Sequence, residues 1–238
     1  MFAEPSFTEP PSVLSVAQIR HVDAVAVRDF GMNSLVLMEN AGRGCADFID
    51  SRVNRFSGVI VLCGPGNNGG DGLVIARHLH AMGHRISLWI IAERDKLSKD
   101  ANANLRIVEC TKIRIRWIGE RHSTLEMEQA WSQLRSDCGS NFVVVDALLG
   151  TGATGQPRAL MANVLRLVNA GNLQRIAIDI PTGLDAETGE PSDPTFWADT
   201  TLTFVAKKPG FAALGAAAFL GEVRILPIGV PPEVFDRI

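Results

Sequence analysis

The chain has 238 residues, enough for one α/β domain or two small ones with a full core. It is 46% hydrophobic and 21% charged, an ordinary soluble composition, and no window reaches the ~18 consecutive apolar residues of a membrane span. A net charge of −3 gives no electrostatic footprint for nucleic acid or an anionic membrane.

The first residues, Met1-Phe-Ala-Glu-Pro-Ser-Phe-Thr-Glu-Pro-Pro11, lack basic residues and an apolar h-region, so no signal peptide is expected. Their prolines and polar residues predict a loose tail over 1–12, with one domain over 13–238. Cys45, Cys63, Cys110 and Cys138 are widely spaced without a C-x-x-C pair, which predicts free thiols and a cytoplasmic location. Ser15-Val-Ala-Gln18 is a capping box, followed by the helical stripe Ile19, Val22 and Ala26; Gly31 stops that helix. A second helix starts near Ser34. Its broad apolar side is interrupted by Glu39 and Asn40, which are either surface residues or face a ligand across a close helix contact that Gly42 permits.

Val59-Ile-Val-Leu-Cys63 then runs into Gly64-Pro-Gly-Asn-Asn-Gly-Gly-Asp-Gly72, and helical spacing resumes at Leu73 with Ile75, Leu79 and Met82 on one face. This reads as strand, glycine-rich turn, helix. Glycines permit positive φ and close approach of a ligand to the main chain, and the free N–H groups of a helix start favour an anion. Asn68 and Asp71 are surplus to a phosphate loop. They suggest ligation of a cation, hydrogen bonding to a sugar, or Asx turns that hold the loop.

Beyond the loop the chain alternates. Residues 85–91 form a strand, and Leu97, Ala101, Leu105 and Val108 mark a helix. Ile113, Ile115 and Trp117 show the period of an edge strand, and Ser123 to Glu126 caps another helix. Residues 141–146 form a buried strand ending in Asp146. Next come the glycine-rich turn 147–156 and a helix with Pro157 as its first residue. Residues 175–180 form a further buried strand carrying Asp179, turned by Pro181-Thr-Gly183. Strands over 200–205 and 223–226 close the chain around the turn Lys207-Lys-Pro-Gly210. The alternation predicts an α/β three-layer αβα sandwich, with a Rossmann-like, mostly parallel sheet and two additional N-terminal helices.

In such a sheet, ligands bind outside the carboxyl ends of the strands. That edge collects Asn67, Asn68, Asp71, Asp146, Thr151, Thr154, Asp179 and Thr182. Strand-terminal carboxylates also cap neighbouring helices, but two of them beside two glycine turns favour a site. No G-x-x-x-x-G-K-[ST] or G-x-S-x-G occurs, which argues against a P-loop NTPase and an α/β-hydrolase. His78, His80 and His84 lack acidic or cysteine partners nearby in sequence, which disfavours zinc. No histidine sits in the glycine loops, which disfavours a nicotinamide dehydrogenase.

Leu37-Met-Glu-Asn-Ala-Gly42, the loop 64–72, Val145-Asp-Ala-Leu-Leu-Gly-Thr-Gly152, Asp179-Ile-Pro-Thr-Gly-Leu-Asp185 and Lys208-Pro-Gly210 together resemble the NAD(P)H-hydrate epimerases, which share the YjeF N-terminal domain. The resemblance runs from about Val13 to Pro231. It implies an enzyme, an isomerase of metabolite repair. The reaction interconverts the R and S epimers of hydrated NADH and NADPH (NADHX and NADPHX) at C6 of the damaged ring, and a separate dehydratase is the functional partner. A homodimer is also implied. The substrate would contact Asn67, Asn68, Gly69, Gly70 and Asp71, then Gly150, Thr151, Gly152, Ala153, Thr154, Gly155 and Gln156, and finally Asp179. One potassium ion (K+) per subunit would be held by Asn68, Asp146 and Thr182, with threonine where the family usually has serine. Asp179 would be the acid–base, with Lys208 tuning it; Lys207 occupies a position often taken by proline, leaving open which lysine faces the site. Glu93 is a further candidate, as acceptor for a ribose hydroxyl. The rival reading is a non-catalytic module of the same superfamily, binding a dinucleotide-like ligand or acting as a scaffold.

Overall fold

The computed structural model describes residues 11–54, 57–138, 142–153 and 155–238. The expected tail lies outside them apart from residues 11 and 12, as does Thr154. Two helices lead. α1 (Val16–Phe30) opens on Ser15 with both halves of the capping box formed, and ends at Gly31, which takes φ 67. Such a left-handed stop suits glycine. α2 (Ser34–Arg52) is capped by Asn33, whose side chain accepts from the Leu35 N–H.

Strands and helices then alternate: β1 (Gly58–Cys63), α3 (Asn67–Ala81), β2 (Arg85–Ile90), α4 (Lys99–Glu109), β3 (Arg114–Trp117), α5 (Thr124–Cys138), β4 (Phe142–Ala147), α6 (Ala159–Asn169), β5 (Gln174–Ile178), β6 (Thr200–Phe204), the short α7 (Ala217–Leu220) and β7 (Glu222–Leu226). The seven strands form one sheet in the order β3-β2-β1-β4-β5-β6-β7, with every pairing parallel. β3 lies at the edge, as its period-two pattern predicts. Alternate residues of β1 serve opposite cores. Val59, Val61 and Cys63 face the layer containing α1 to α4, while Ile60 and Leu62 join Trp89, Trp131 and Phe142 beneath α5 and α6. Both faces of the strand are therefore apolar, which is why it reads as a continuous run. Among the described residues, no helix is long and apolar enough to cross a membrane.

Two features differ from the sequence expectation. The glycine-rich stretch does not delay α3: residues 67–72 are already its first turns. None of Gly64, Gly66, Gly69, Gly70 and Gly72 takes positive φ. Most of them act by letting neighbours close in. A Cβ at Gly69 would strike the Gly64 carbonyl oxygen, one at Gly70 would lie 2.5 Å from Met38 Cε, and one at Gly72 would lie 2.6 Å from Cys63 Sγ. Tertiary contact thus outweighs the poor helix propensity of glycine. Pro157 is likewise not the first residue of α6. Arg158 is extended and serves as N-cap, so the helix begins two residues later.

The contact between α2 and α3 rests on Gly42, where a Cβ would lie 2.5 Å from Val74 Cβ. Gly44, two residues on, would meet only Leu226 Cδ1 at 3.9 Å. Gly44→Ala should raise stability by about 0.5–1 kcal/mol through helix propensity. Gly42→Ala should lower it by about 1–3 kcal/mol, because a stiff valine on a packed helix cannot retreat. Urea midpoints at unchanged slope would measure both effects.

Candidate active site

The sheet order reverses between β1 and β4, the switch point at which such sheets bind ligands. A cleft of about 550 Å³ opens there, walled by the segments after β1 and β4, the ends of β5 and β6, and the helices α1 and α2. Under its floor, the fully buried Asp146 joins two of these segments. Its Oδ2 accepts from the Thr182 N–H at 2.8 Å, and its Oδ1 accepts from the Thr182 hydroxyl at 2.8 Å and the Leu148 N–H at 3.1 Å. Burial pushes the Asp146 carboxyl up to about 6, although those donors pull it down. The Thr182 hydroxyl in turn accepts from the Leu149 N–H at 3.1 Å.

Asn68, in the first turn of α3, is buried, yet neither its Oδ1 nor its Nδ2 has a hydrogen-bond partner. An unmet buried amide costs about 1–3 kcal/mol, so its presence in a cleft wall points to a ligand. Gly66 caps α3 without a side chain and leaves the first amides of the helix to an anion.

Asp179 immediately follows β5 and takes φ 67. Its N–H donates to the Leu202 carbonyl at 2.7 Å, while the Ile180 N–H turns back to the Ile178 carbonyl at 2.9 Å. The end of β6 repeats this tight turn: Val205 takes φ 66, and the Ala206 N–H donates to the Phe204 carbonyl at 2.7 Å. Turns with positive φ at non-glycine residues are strained by about 1–3 kcal/mol each and cluster at functional sites. Behind the second turn Lys208 is buried, and its Nζ lies 2.6 Å from Asp179 Oδ1. The ammonium also donates to Thr203 Oγ1 at 2.5 Å and reaches the Phe204 and Ala206 carbonyls at 3.4 and 3.5 Å. Asp179 Oδ2 accepts from the Thr151 N–H at 3.1 Å. Burial alone would push Asp179 up, but the charge and hydrogen bond of Lys208, with help from Thr151, hold it below the usual carboxylate range.

Asp71 behaves oppositely. Burial, then the charges of Asp179 and Asp23, push its carboxyl well above the ordinary value. Asp23, from α1, is exposed, yet desolvation by the surrounding cleft and the charge of Asp179 raise it to about 6, against the pull of Lys208. One cleft thus holds one carboxyl pushed down and a neighbour pushed up, the separation expected of acid–base sites.

Of the residues expected from sequence, Asn67, Asn68, Asp71, Gly150, Thr151, Gly152, Ala153 and Asp179 line the cleft. Gly69 and Gly70 are buried behind this wall, while Gly155 and Gln156 are exposed and lie outside the lining. Thr154 lies outside the described residues. Lys208, not the exposed Lys207, faces the site. Glu93 turns to the Glu120 N–H at 3.0 Å and is not in the cleft. Glu39 pairs with Arg77 and His78, and Asn40 donates to the Ile228 carbonyl, so both are ties between elements. His84 pairs with Asp50. Sequence reasoning missed Arg20 and Asp23 on α1 and Asp100 on α4. The available signal was helical: positions 20, 23 and 27 fall beside the apolar stripe, on the border of the packed face.

Comparison with known proteins points the same way. The profile of the family described as the YjeF-related protein N-terminus matches residues 34–210. An NAD(P)H-hydrate epimerase of Rhodopirellula baltica is 42% identical over 98% of this chain and 90% of its own length. One from Pirellula staleyi is 37% identical over 92% and 93%. The bifunctional NAD(P)H-hydrate repair enzyme of Salinibacter ruber is 37% identical over 95% of this chain, which spans 42% of that relative. The crystal structure of yeast ynu0 shares the fold, with TM-score 0.72 and 20% identity over 90% of this chain and 87% of that one.

The Lys208–Asp179 pair has a consequence for stability. Its contribution is present above the ordinary carboxylate pKa of ~4 and is lost as pH falls through the lowered value. In Lys208→Met burial would be opposed only by the Thr151 hydrogen bonds, and the larger part of what lowers Asp179 would be gone. The variant should therefore be less stable by about 3–5 kcal/mol at pH 7, with a deficit that shrinks as the pH falls through ~4. Denaturation at both pH values would reveal a pH-independent deficit if the lysine acts by packing alone.

Proposed function

The chain belongs to the family of the YjeF-related protein N-terminus, and we infer that it is an NAD(P)H-hydrate epimerase, an isomerase acting on the hydrated nicotinamide ring. The observation that carries the reading is the buried Lys208–Asp179 pair in the wall of a dinucleotide-sized cleft. In the hydrated ring, C6 carries a hydroxyl beside the ring nitrogen. The nitrogen lone pair expels the hydroxyl to give an iminium, and water returns to the other face. Asp179, held ionised and oriented by Lys208 and the Thr151 N–H, is placed to take the proton of the incoming water. No redox change is involved.

The free amides at the start of α3 and the turn over 150–153 suit the pyrophosphate. A potassium ion fits Asn68, Asp146 and Thr182, which supply amide, carboxylate and hydroxyl oxygens, hard donors with no soft ligand among them. The unpartnered Asn68 Oδ1 supports this assignment. When bound, the ion would neutralise Asp146 and tie the segments after β1, β4 and β5 together. The Salinibacter ruber relative, of which this chain spans 42%, is a bifunctional NAD(P)H-hydrate repair enzyme, which supports a dehydratase as the functional partner here. A cytosolic location and a homodimer complete the proposal. The free thiols of Cys45, Cys63 and Cys110 fit a reducing compartment, and exposed Val27, Leu35 and Val36 leave apolar surface for a second copy.

The wild-type chain should bring R-NADHX to a mixture of epimers, followed by chromatography, and Asp179→Asn should slow this by at least ~100-fold. Turnover of the folded variant near the wild-type rate would remove Asp179 from the chemistry. Potassium should raise the melting temperature relative to a large organic cation, because an ion bound only by the folded state stabilises it. Asn68→Ala should abolish that difference. An equal response in the variant would exclude Asn68 as a ligand.

A further inference from the structure

Epimerisation by loss and return of water needs proton transfer on both faces of the ring. A proton must reach the departing oxygen on one face, and another must leave the incoming water on the other. Asp179 is equipped for only half of this. Both of its oxygens accept hydrogen bonds from Lys208 and Thr151, which makes it an acceptor and a poor donor. Lys208 does not fill the gap, because its ammonium is committed to Asp179, to Thr203 and to the Phe204 and Ala206 carbonyls.

Asp71 lines the same cleft from α3, where the contact of Gly42 with Val74 and the Asp71 carbonyl closes α2 over it. Among the described residues its carboxyl receives no hydrogen bond and no ion pair. Asp71 is half-buried, and a carboxyl in such a place without donors favours keeping its proton over standing as a bare charge. The charged groups around it are Asp179, Asp23 and Lys208, with Arg20 and Asp100 also on the cleft wall.

We propose that Asp71 is a second catalytic group of this site, the acid for one face of the ring, with Asp179 the base for the other. The proposal rests on the epimerase reading above. The C6–O bond breaks with its electron pair on oxygen, the nitrogen lone pair forms the C6=N bond, and the Asp71 proton converts the departing oxygen to water. On the other face a water oxygen bonds to C6, the C6=N pair returns to nitrogen, and the water's proton passes to Asp179. The site is left with Asp71 ionised and Asp179 protonated. The opposite epimer is processed from that state with the roles exchanged, and proton exchange with solvent through the cleft restores the first state. Asp23 lines the same cleft and is exposed.

Oxygen exchange separates this arrangement from a single acid–base group. Each epimer of NADHX is incubated in ¹⁸O-water with wild type, Asp71→Asn and Asp179→Asn, and both inversion and label at C6 are measured. Wild type should invert with label incorporated. With Asp179 removed, the protonated Asp71 can still expel and restore water on its own face. Asp179→Asn should therefore lose inversion by ~100-fold or more while one epimer keeps exchanging its hydroxyl without inverting, whereas Asp71→Asn, left with the ionised Asp179, should lose exchange and inversion together. Exchange lost together with inversion in Asp179→Asn, or inversion within ten-fold of wild type in Asp71→Asn, would overturn the assignment. The Asp179→Asn arm tests it without altering Asp71, so a misfolded Asp71 variant does not shield it. A wild-type chain that neither inverts nor exchanges would refute the epimerase reading itself.

Discussion

The ion pair between Lys208 and Asp179 is the constraint on which the rest of the site depends. Removing two charges from water costs several kcal/mol each, and attraction offsets this only with good geometry and satisfied remaining donors and acceptors. The fold meets that condition from four directions. Asp179 takes the Thr151 N–H from the segment after β4, and Lys208 reaches the Thr203 hydroxyl within β6. The two strained turns at Asp179 and Val205 close adjacent strands β5 and β6 in the same way. Their parallel pairing sets Ile178, the last residue of β5, against Leu202, and β6 runs on to Phe204 before its turn brings Lys208 back to Asp179.

The second dependence is close packing on glycine. The start of α3, which lines the same cleft, is wedged between α2 and the sheet with almost no side-chain volume to spare. Gly64 permits the segments after β1 and β4 to touch, since a Cβ there would strike the Leu148 carbonyl oxygen. Gly69, Gly70 and Gly72 let the helix settle onto the Gly64 backbone, Met38 and Cys63. This packing carries Asn68 and Asp71 into the cleft without giving either a partner among the described residues. The site therefore pairs one carboxyl held by donors with another that has none among the described residues, and their opposite shifts follow from desolvation and charge.

Much of the architecture was legible because local signals agreed. The capping box at Ser15, the stop at Gly31 and the alternation of apolar strands with helices each specify one element, and parallel order follows from alternation. The site was legible where residue type alone marked it, as at Asn68, Asp146 and Asp179. It was not legible where the outcome hangs on contacts distant in sequence. Lys207 and Lys208 are adjacent and chemically equal, and only the turn at Val205 decides which is buried. Asp23 belongs to a helix about forty residues before the glycine stretch, and periodicity marks it as a border position rather than a cleft residue. The early start of α3 is hidden because glycine propensity opposes a helix that tertiary packing nonetheless forms, and the start of α6 is hidden because its N-cap, Arg158, makes no side-chain cap.

The account turns on two carboxyls in one cleft having opposite protonation, and this can be observed without substrate. Carbon-13 carboxyl labelling of aspartate, with NMR titration and assignment through Asp71→Asn and Asp179→Asn, reads each group directly. Asp179 should remain ionised below the pH at which ordinary aspartates protonate, and Asp71 should remain protonated above the pH at which they ionise. Two carboxyls titrating together near the ordinary aspartate value would contradict the account.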